Sequence, residues 1–173
     1  LPLLFNWPYL HILLPIHVVF LELIMDPTCV IAYENEPAEK RLLNRPPGHT
    51  DGGLFTWKQL AWSILQGLVL TAGIMFMYHY TVARQGGEEE VRGSVFLTLM
   101  FSNIFLTLVN RSFRYSILKT IRYRNLSLWY ILIATLGVAL AIYFIPILSD
   151  LFKLAFITPF DFFLCALVAL ICA

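Results

Sequence analysis

Long apolar runs alternate with short polar stretches along this chain, and five of the runs are candidates for membrane-spanning helices. They fall at about residues 9–33, 57–83, 93–110, 126–148 and 159–173. A helix rises ~1.5 Å per residue, so about 20 apolar residues cross the hydrocarbon core. The second run carries Trp57, Trp62, Tyr78 and Tyr80 near its ends, where amphipathic rings favour the headgroup layer. The third is short but uncharged, and the fourth is ended by Pro146 and Ser149. The fifth has only 15 residues, so it is truncated or incomplete. The pattern predicts an all-α fold, a polytopic membrane helix bundle of about five transmembrane helices with no internal repeat.

Polar residues alter the reading most in the first run. Within PIHVVFLELIMDPTCVIAY, residues 15–33, stand Glu22 and Asp26, with Pro27 directly after. Two carboxylates four residues apart share one helix face. A charge at bilayer depth costs from about 3 to more than 10 kcal/mol. Proline has no N–H, so the Leu23 carbonyl loses its helical partner, and the ring crowds the same turn. The first helix is therefore expected to be broken near Asp26–Pro27. Freed carbonyls in a membrane need protein or a water-filled cavity to satisfy them, and hard cations take such oxygens well. Broken helices at the midplane are a recurrent way to build ion sites. The pair reads as a cation site on a transport pathway. The competing reading, a protonated structural acid bonded to a neighbouring helix, suits a lone carboxyl better.

Other polar positions carry less. Ser102 and Asn103 lie mid-membrane in the third run; Asn103 is a candidate cation ligand or an interhelical hydrogen-bonding residue, and Gln66 has the same ambiguity. His17 is five residues before Glu22, off its face, and reads as packing. Cys29, one turn beyond Asp26, reads as a small buried residue. His11 and His79 fall near the outer surface, and Asp161 reads as a capping residue of the last helix.

Composition fixes the class. With 59% hydrophobic and 13% charged residues, a soluble domain of this length could not cover its apolar surface, so the chain is expected to be integral to the lipid bilayer. Cys29, Cys165 and Cys172 form no CxxC spacing, which excludes a disulfide framework or a zinc module. No basic stripe interleaves with aromatics, so no nucleic acid is expected. Nine of the twelve basic residues lie in the segments 34–58 and 110–125, and the second of these has no acid. The positive-inside rule puts both loops in the cytoplasm and the segments 86–90 and 149–156 outside. The chain opens on apolar LPLLFNWP and ends within FFLCALVALICA, so it is expected to be a fragment of a longer membrane protein.

The stretch FLELIMDPTCVIAYENEPAEKRLLNRPP, Phe20 to Pro47, resembles the sixth transmembrane helix and following cytoplasmic loop of P-type cation-transporting ATPases. It looks like the bacterial branch related to calcium pumps. The shared pattern is an acid or Asn, three residues, Asp, a small-residue turn, and an acidic-Pro…Arg-Pro-Pro loop. LVNRS at Leu108–Ser112 suits the end of the eighth helix of that family. The resemblance implies that residues 1–173 are the C-terminal transmembrane domain, helices six to ten. By position, Glu22 and Asp26 then fall on the two principal cation ligands of the sixth helix. Calcium pumps usually carry Asn at the first of these, and Glu there is more like proton/potassium pumps. Met25 stands where calcium pumps commonly place Thr, which argues against a two-calcium site. The loop departs from the family at Gly48, where Arg is usual.

The resemblance further implies an ATP-driven pump of a small cation, Ca²⁺ among the possibilities, in a bacterial plasma membrane. The phosphorylated aspartate, nucleotide domain and actuator loop are absent from this chain, so Mg²⁺ and ATP belong to missing cytoplasmic domains. No catalytic or cofactor-binding residue is expected here. The expected partners are the lipid bilayer, the remaining helices and cytoplasmic domains of the parent pump, and the transported cation. Two alternatives stay open: a secondary transporter exchanging protons for a cation without ATP, and a non-transporting membrane subunit with a structural carboxylate pair.

Overall fold

Small residues on the third apolar run, Gly93, Ser94 and Ser102 among them, let it become the centre of a helical bundle. The computed structural model describes Tyr9 and residues 12–34, 57–109, 126–155 and 157–173. Outside these lie the basic loops at 35–56 and 110–125 and His11, and the side chains of residues 25–29, Asp26 and Cys29 among them, are likewise not described. The described residues form α1 (Pro15–Glu34), α2 (Trp57–Ala83), α3 (Glu88–Val109), α4 (Leu126–Phe144), α5 (Pro146–Phe152) and α6 (Pro159–Cys172). All are helices. Among them α2 and α3 are each long and apolar enough to cross a membrane, and the bent pair formed by α4 and α5 makes a third if counted as one span.

Helix α3 is buried along most of its length, with α6 packed on it most extensively, α2 beside it, and α1 and α4 also in contact. Without a hydrophobic force between helices in lipid, close approach and satisfied polar groups decide such packing. Ser94 and Thr98 are buried because each hydroxyl donates to the carbonyl one turn back, Glu90 at 3.0 Å and Ser94 at 2.7 Å. Cys165 of α6 meets the same turn, its sulfur 3.6 Å from the Ser94 carbonyl. Gly73 serves α2 in the same way: a Cβ there would lie 2.6 Å from Cys172 Sγ and 3.3 Å from a Val168 methyl. On the α1 side the core is aromatic, with Phe96 against Phe20 and Phe152, and on the α6 side Phe101 is edge-on to Phe162.

The first turn of α1 starts with Pro15, a residue whose fixed φ suits that position, rather than at residue 9. From there α1 runs as one helix through Asp26 and Pro27, so the interruption expected there is not seen as a break in the element. Proline already holds a helical φ and removes one backbone hydrogen bond, a defect that membrane helices absorb by local adjustment. Helix α3 begins five residues earlier than expected, because Glu88, Glu89 and Glu90 occupy its first turn, where carboxylates complement the unsatisfied N–H groups. The fourth run is not straight. Helix α4 ends at Phe144, Ile145 is extended, and α5 leaves at 90°. Pro146 opens that new helix instead of only ending the old one.

Three connections gather at one end of the bundle, the hairpin end. Tyr9 donates from its hydroxyl to the Gly86 carbonyl at 3.3 Å, tying the approach to α1 onto the α2–α3 turn. The Ala155 N–H donates to the Glu89 carbonyl, joining the α5–α6 connection to α3. Helices α2 and α5 both finish there in the same way. Gly86 N–H returns to Thr81 and Gln85 N–H to Val82; Leu154 N–H returns to Ser149 and Lys153 N–H to Asp150. This paired bonding needs a left-handed residue past the helix, and Gln85 (φ 59°) and Lys153 (φ 49°) supply it.

Candidate cation site

Helix α1 packs by a stripe spaced three and four residues apart: Ile16, His17, Phe20, Leu21 and Ile24 all meet the core, as does Leu13 just before the helix. His17 is fully buried, its ring 5.0 Å from Phe96 and 5.6 Å from Phe152. Its Nδ1 accepts from the Leu14 N–H at 3.0 Å, which satisfies a free donor where α1 begins. The packing role read from the sequence matches this geometry.

Glu22 lies about 140° around the helix from His17 at ~100° per residue. It is exposed, with Val18, Val19 and Leu23 as exposed neighbours. The carboxylate thus stands on the side of α1 that this chain leaves open, amid apolar residues. Asp26 belongs to the same continuous helix one turn further on; its side chain is outside the described residues.

Asn103 is half-buried on α3. Both α1 and α3 start at the hairpin end and run parallel, and Asn103 follows Phe96 by seven residues as Ile24 follows His17. Register therefore sets Asn103 on the side of α3 that meets the packed stripe, and Glu22 on the far side of α1. The described residues do not bring the two together. Ser102, beside Asn103, is buried and its hydroxyl has no hydrogen-bond partner among the described residues. Among those residues no three His, Cys, Asp or Glu side chains converge as metal ligands.

A second polar cluster, at the hairpin end, was only partly visible in the sequence. Arg92, one of the three basic residues outside the two basic segments, is buried. Its guanidinium reaches the Glu88 carboxylate at 2.6 Å and the Lys153 carbonyl at 2.9 Å. The four-residue spacing of Glu88 and Arg92 was the available signal. Asp161 does sit in the first turn of α6, capped by Thr158, and also pairs with Arg84, just past the end of α2, at 2.6 Å. That carboxylate, with the Tyr80 hydroxyl, raises the Arg84 pKa further above its ordinary value. Between Arg84, Glu90, Ser94 and Asp161 a cavity of about 130 Å³ opens at this end. Gln66 of α2, ambiguous in the sequence, donates to the Ala173 carbonyl at 3.0 Å, a helix-to-helix role.

The sequence matches the family described as cation transporting ATPase, C-terminus, over residues 10–173. No curated protein matches the chain. The family match covers nearly the whole chain and agrees with the apolar helices of the bundle: an integral membrane protein that forms part of a larger cation pump. The chain belongs to the family of cation-transporting ATPase C-terminal regions, the membrane part of a P-type cation-transporting ATPase.

Proposed function

We propose that Glu22 and Asp26 are transport ligands of this pump and that the cargo is a small hard cation such as Ca²⁺. The observation that carries this reading is the exposure of Glu22 on the face of α1 opposite the His17–Phe20–Ile24 stripe. A carboxylate cannot be left against lipid at that depth without a large penalty, so the open face must meet protein and a positive charge. The remaining membrane helices of the pump are the elements available to cover it. Two carboxylates, and the Leu23 carbonyl that Pro27 leaves without its helical partner, offer oxygen donors of the kind Ca²⁺ or a similar ion requires. ATP-driven phosphorylation in the cytoplasmic domains would then alternate access to the ion held there. Met at 25 favours a single ion per cycle over two, because it brings no oxygen to this turn. The basic segments 34–58 and 110–125 would face those domains in the cytoplasm.

The test is ion-stimulated ATP hydrolysis and ion flux by the whole pump, scanned over Ca²⁺, Mn²⁺, Mg²⁺ and K⁺. Glu22→Gln and Asp26→Asn should each raise the half-saturating cation concentration about tenfold or more, as expected for losing a charged ligand in a low-dielectric site. Wild-type affinity in stably expressed variants would remove the assignment. Asn103→Ala, on the other side of α1 from Glu22, should leave that concentration close to the wild-type value.

A further inference from the structure

Helix α5 has seven residues, and they sort into three directions. At ~100° per residue, Ile147 and Leu151 share one side, Leu148 and Phe152 the next, and Pro146, Ser149 and Asp150 the third. Burial follows the same division. Phe152 is 5% exposed and packs on His17, Phe20 and Phe96, whereas Ile147 and Leu151 are 79% and 59% exposed. Asp150 is exposed on the polar side.

The open apolar side is continuous with helix α4. Tyr130, Ile133, Gly137 and Phe144, all exposed, recur along one stripe of α4 that leads into Ile147. The opposite stripe of α4, Thr135, Ala139 and Ile142, is buried against the bundle. In an integral membrane protein, a spanning helix tilts on average about 20° from the bilayer normal. With 90° between α4 and α5, the short helix lies within about that same angle of the membrane plane. A helix so placed borders three media at once: protein, acyl chain and water. Its residues are distributed among three matching sides.

We propose that α5 is an interfacial anchor, lying along the bilayer surface at the hairpin end with Phe144, Ile147 and Leu151 among the acyl chains and Asp150 in the headgroup layer. The occupant of its open side is lipid. Continuity with the apolar stripe of α4 argues for that, as does the polar side directly beside it, the arrangement that interfacial helices show. The anchor is firmly attached: Phe152 wedges against His17 at the start of α1, and Arg92 of α3 holds the Lys153 carbonyl at the end of α5. The inference stands on the membrane setting of the chain and is independent of the ligand roles of Glu22 and Asp26.

The experiment uses the whole pump in phosphatidylcholine vesicles, with a photoactivatable benzophenone residue replacing Ile147, Leu151 or Asp150 one at a time. Irradiation should give adducts of phosphatidylcholine mass on the peptides carrying positions 147 and 151, and none at 150. In a second measurement, a membrane-impermeant maleimide should label Asp150→Cys about tenfold or more faster than Ile147→Cys, with labelling read peptide by peptide. Cross-links from 147 and 151 to another segment of the pump, or equal labelling at all three positions, would overturn the proposal. Leu151→Cys provides the same comparison should Ile147→Cys fail to fold.

Discussion

The hydroxyl of Tyr143 donates a hydrogen bond to the Gly93 carbonyl at 2.9 Å, and the same oxygen lies only 3.0 Å from where a Cβ on residue 93 would sit. The Ile157 side chain closes on that spot as well, at 2.9 Å. The α4–α5–α6 corner is seated against α3 at a position where no side chain fits. Gly93→Ala is expected to destabilise the fold by about 1–3 kcal/mol through overpacking. Tyr143→Phe should cost less, roughly 0.6 kcal/mol, as for polar pairs between membrane helices. Unfolding midpoints in detergent would show the order; an alanine variant as stable as the parent would mean the corner is positioned elsewhere.

Arg92 and Glu88 form an ion pair whose members are unequal. The guanidinium is buried while the carboxylate is about half exposed. Removing Arg92 as Arg92→Met takes a charged donor from the Lys153 carbonyl and should cost about 1.5–3 kcal/mol. Glu88→Gln keeps an acceptor near solvent and should cost less than about 1 kcal/mol. The same unfolding assay distinguishes them, and equal losses would show that the pair acts mainly through its charges.

Two adjacent positions in the α2–α3 turn should respond with opposite sign. Gln85 holds a left-handed backbone where glycine is the usual occupant, so Gln85→Gly should stabilise by about 0.5–1 kcal/mol. At Gly86 a Cβ would lie 2.8 Å from Thr81 Cγ2 and 3.0 Å from the Thr81 carbonyl, so Gly86→Ala should destabilise. Midpoints moving in the same direction for both would contradict this account of the turn.

At the start of α6, the Thr158 hydroxyl accepts from the Asp161 N–H and donates to its carboxylate. Thr158→Ala is expected to cost about 1 kcal/mol, the usual worth of such a cap. The Arg84–Asp161 pair beside it has a half-exposed arginine, so any effect of Arg84→Gln should fade as salt is raised. A cost at Arg84 that persists in high salt would point to its stacking on Tyr80 instead.

Much of the architecture could be read from hydropathy because α2, α3 and the last helix are apolar runs bounded by charge or proline. The errors were all local and each had a polar or proline residue at its centre. Pro146 stops one helix and starts another, and a run of apolar residues across it does not reveal a right-angle turn. The Glu88–Glu90 run looks like a loop by hydropathy, although helix N-termini favour such carboxylates. Burial of Arg92 was hidden because its second partner, the Lys153 carbonyl, is sixty-one residues away. As for the candidate site, Glu22 was conspicuous as a charge in an apolar segment. Its direction was not, since whether a carboxylate faces a neighbour or an open side depends on which stripe of α1 packs, and His17, Phe20 and Ile24 decide that only in the folded bundle.

Helix α2 has 27 residues, about 40 Å at ~1.5 Å per residue, longer than the hydrocarbon layer is thick. Its buried residues, Gly73, Met77 and Tyr78, are all in the half nearer the hairpin, and residues 57–65 are exposed throughout. Such a rod is packed tightly at one tip, and towards the other the Gln66–Ala173 hydrogen bond holds it to the end of α6. A tilt of the outer tip by a few ångströms would bear first on that bond and then on the Gly73–Cys172 contact, and would reach the hairpin much reduced.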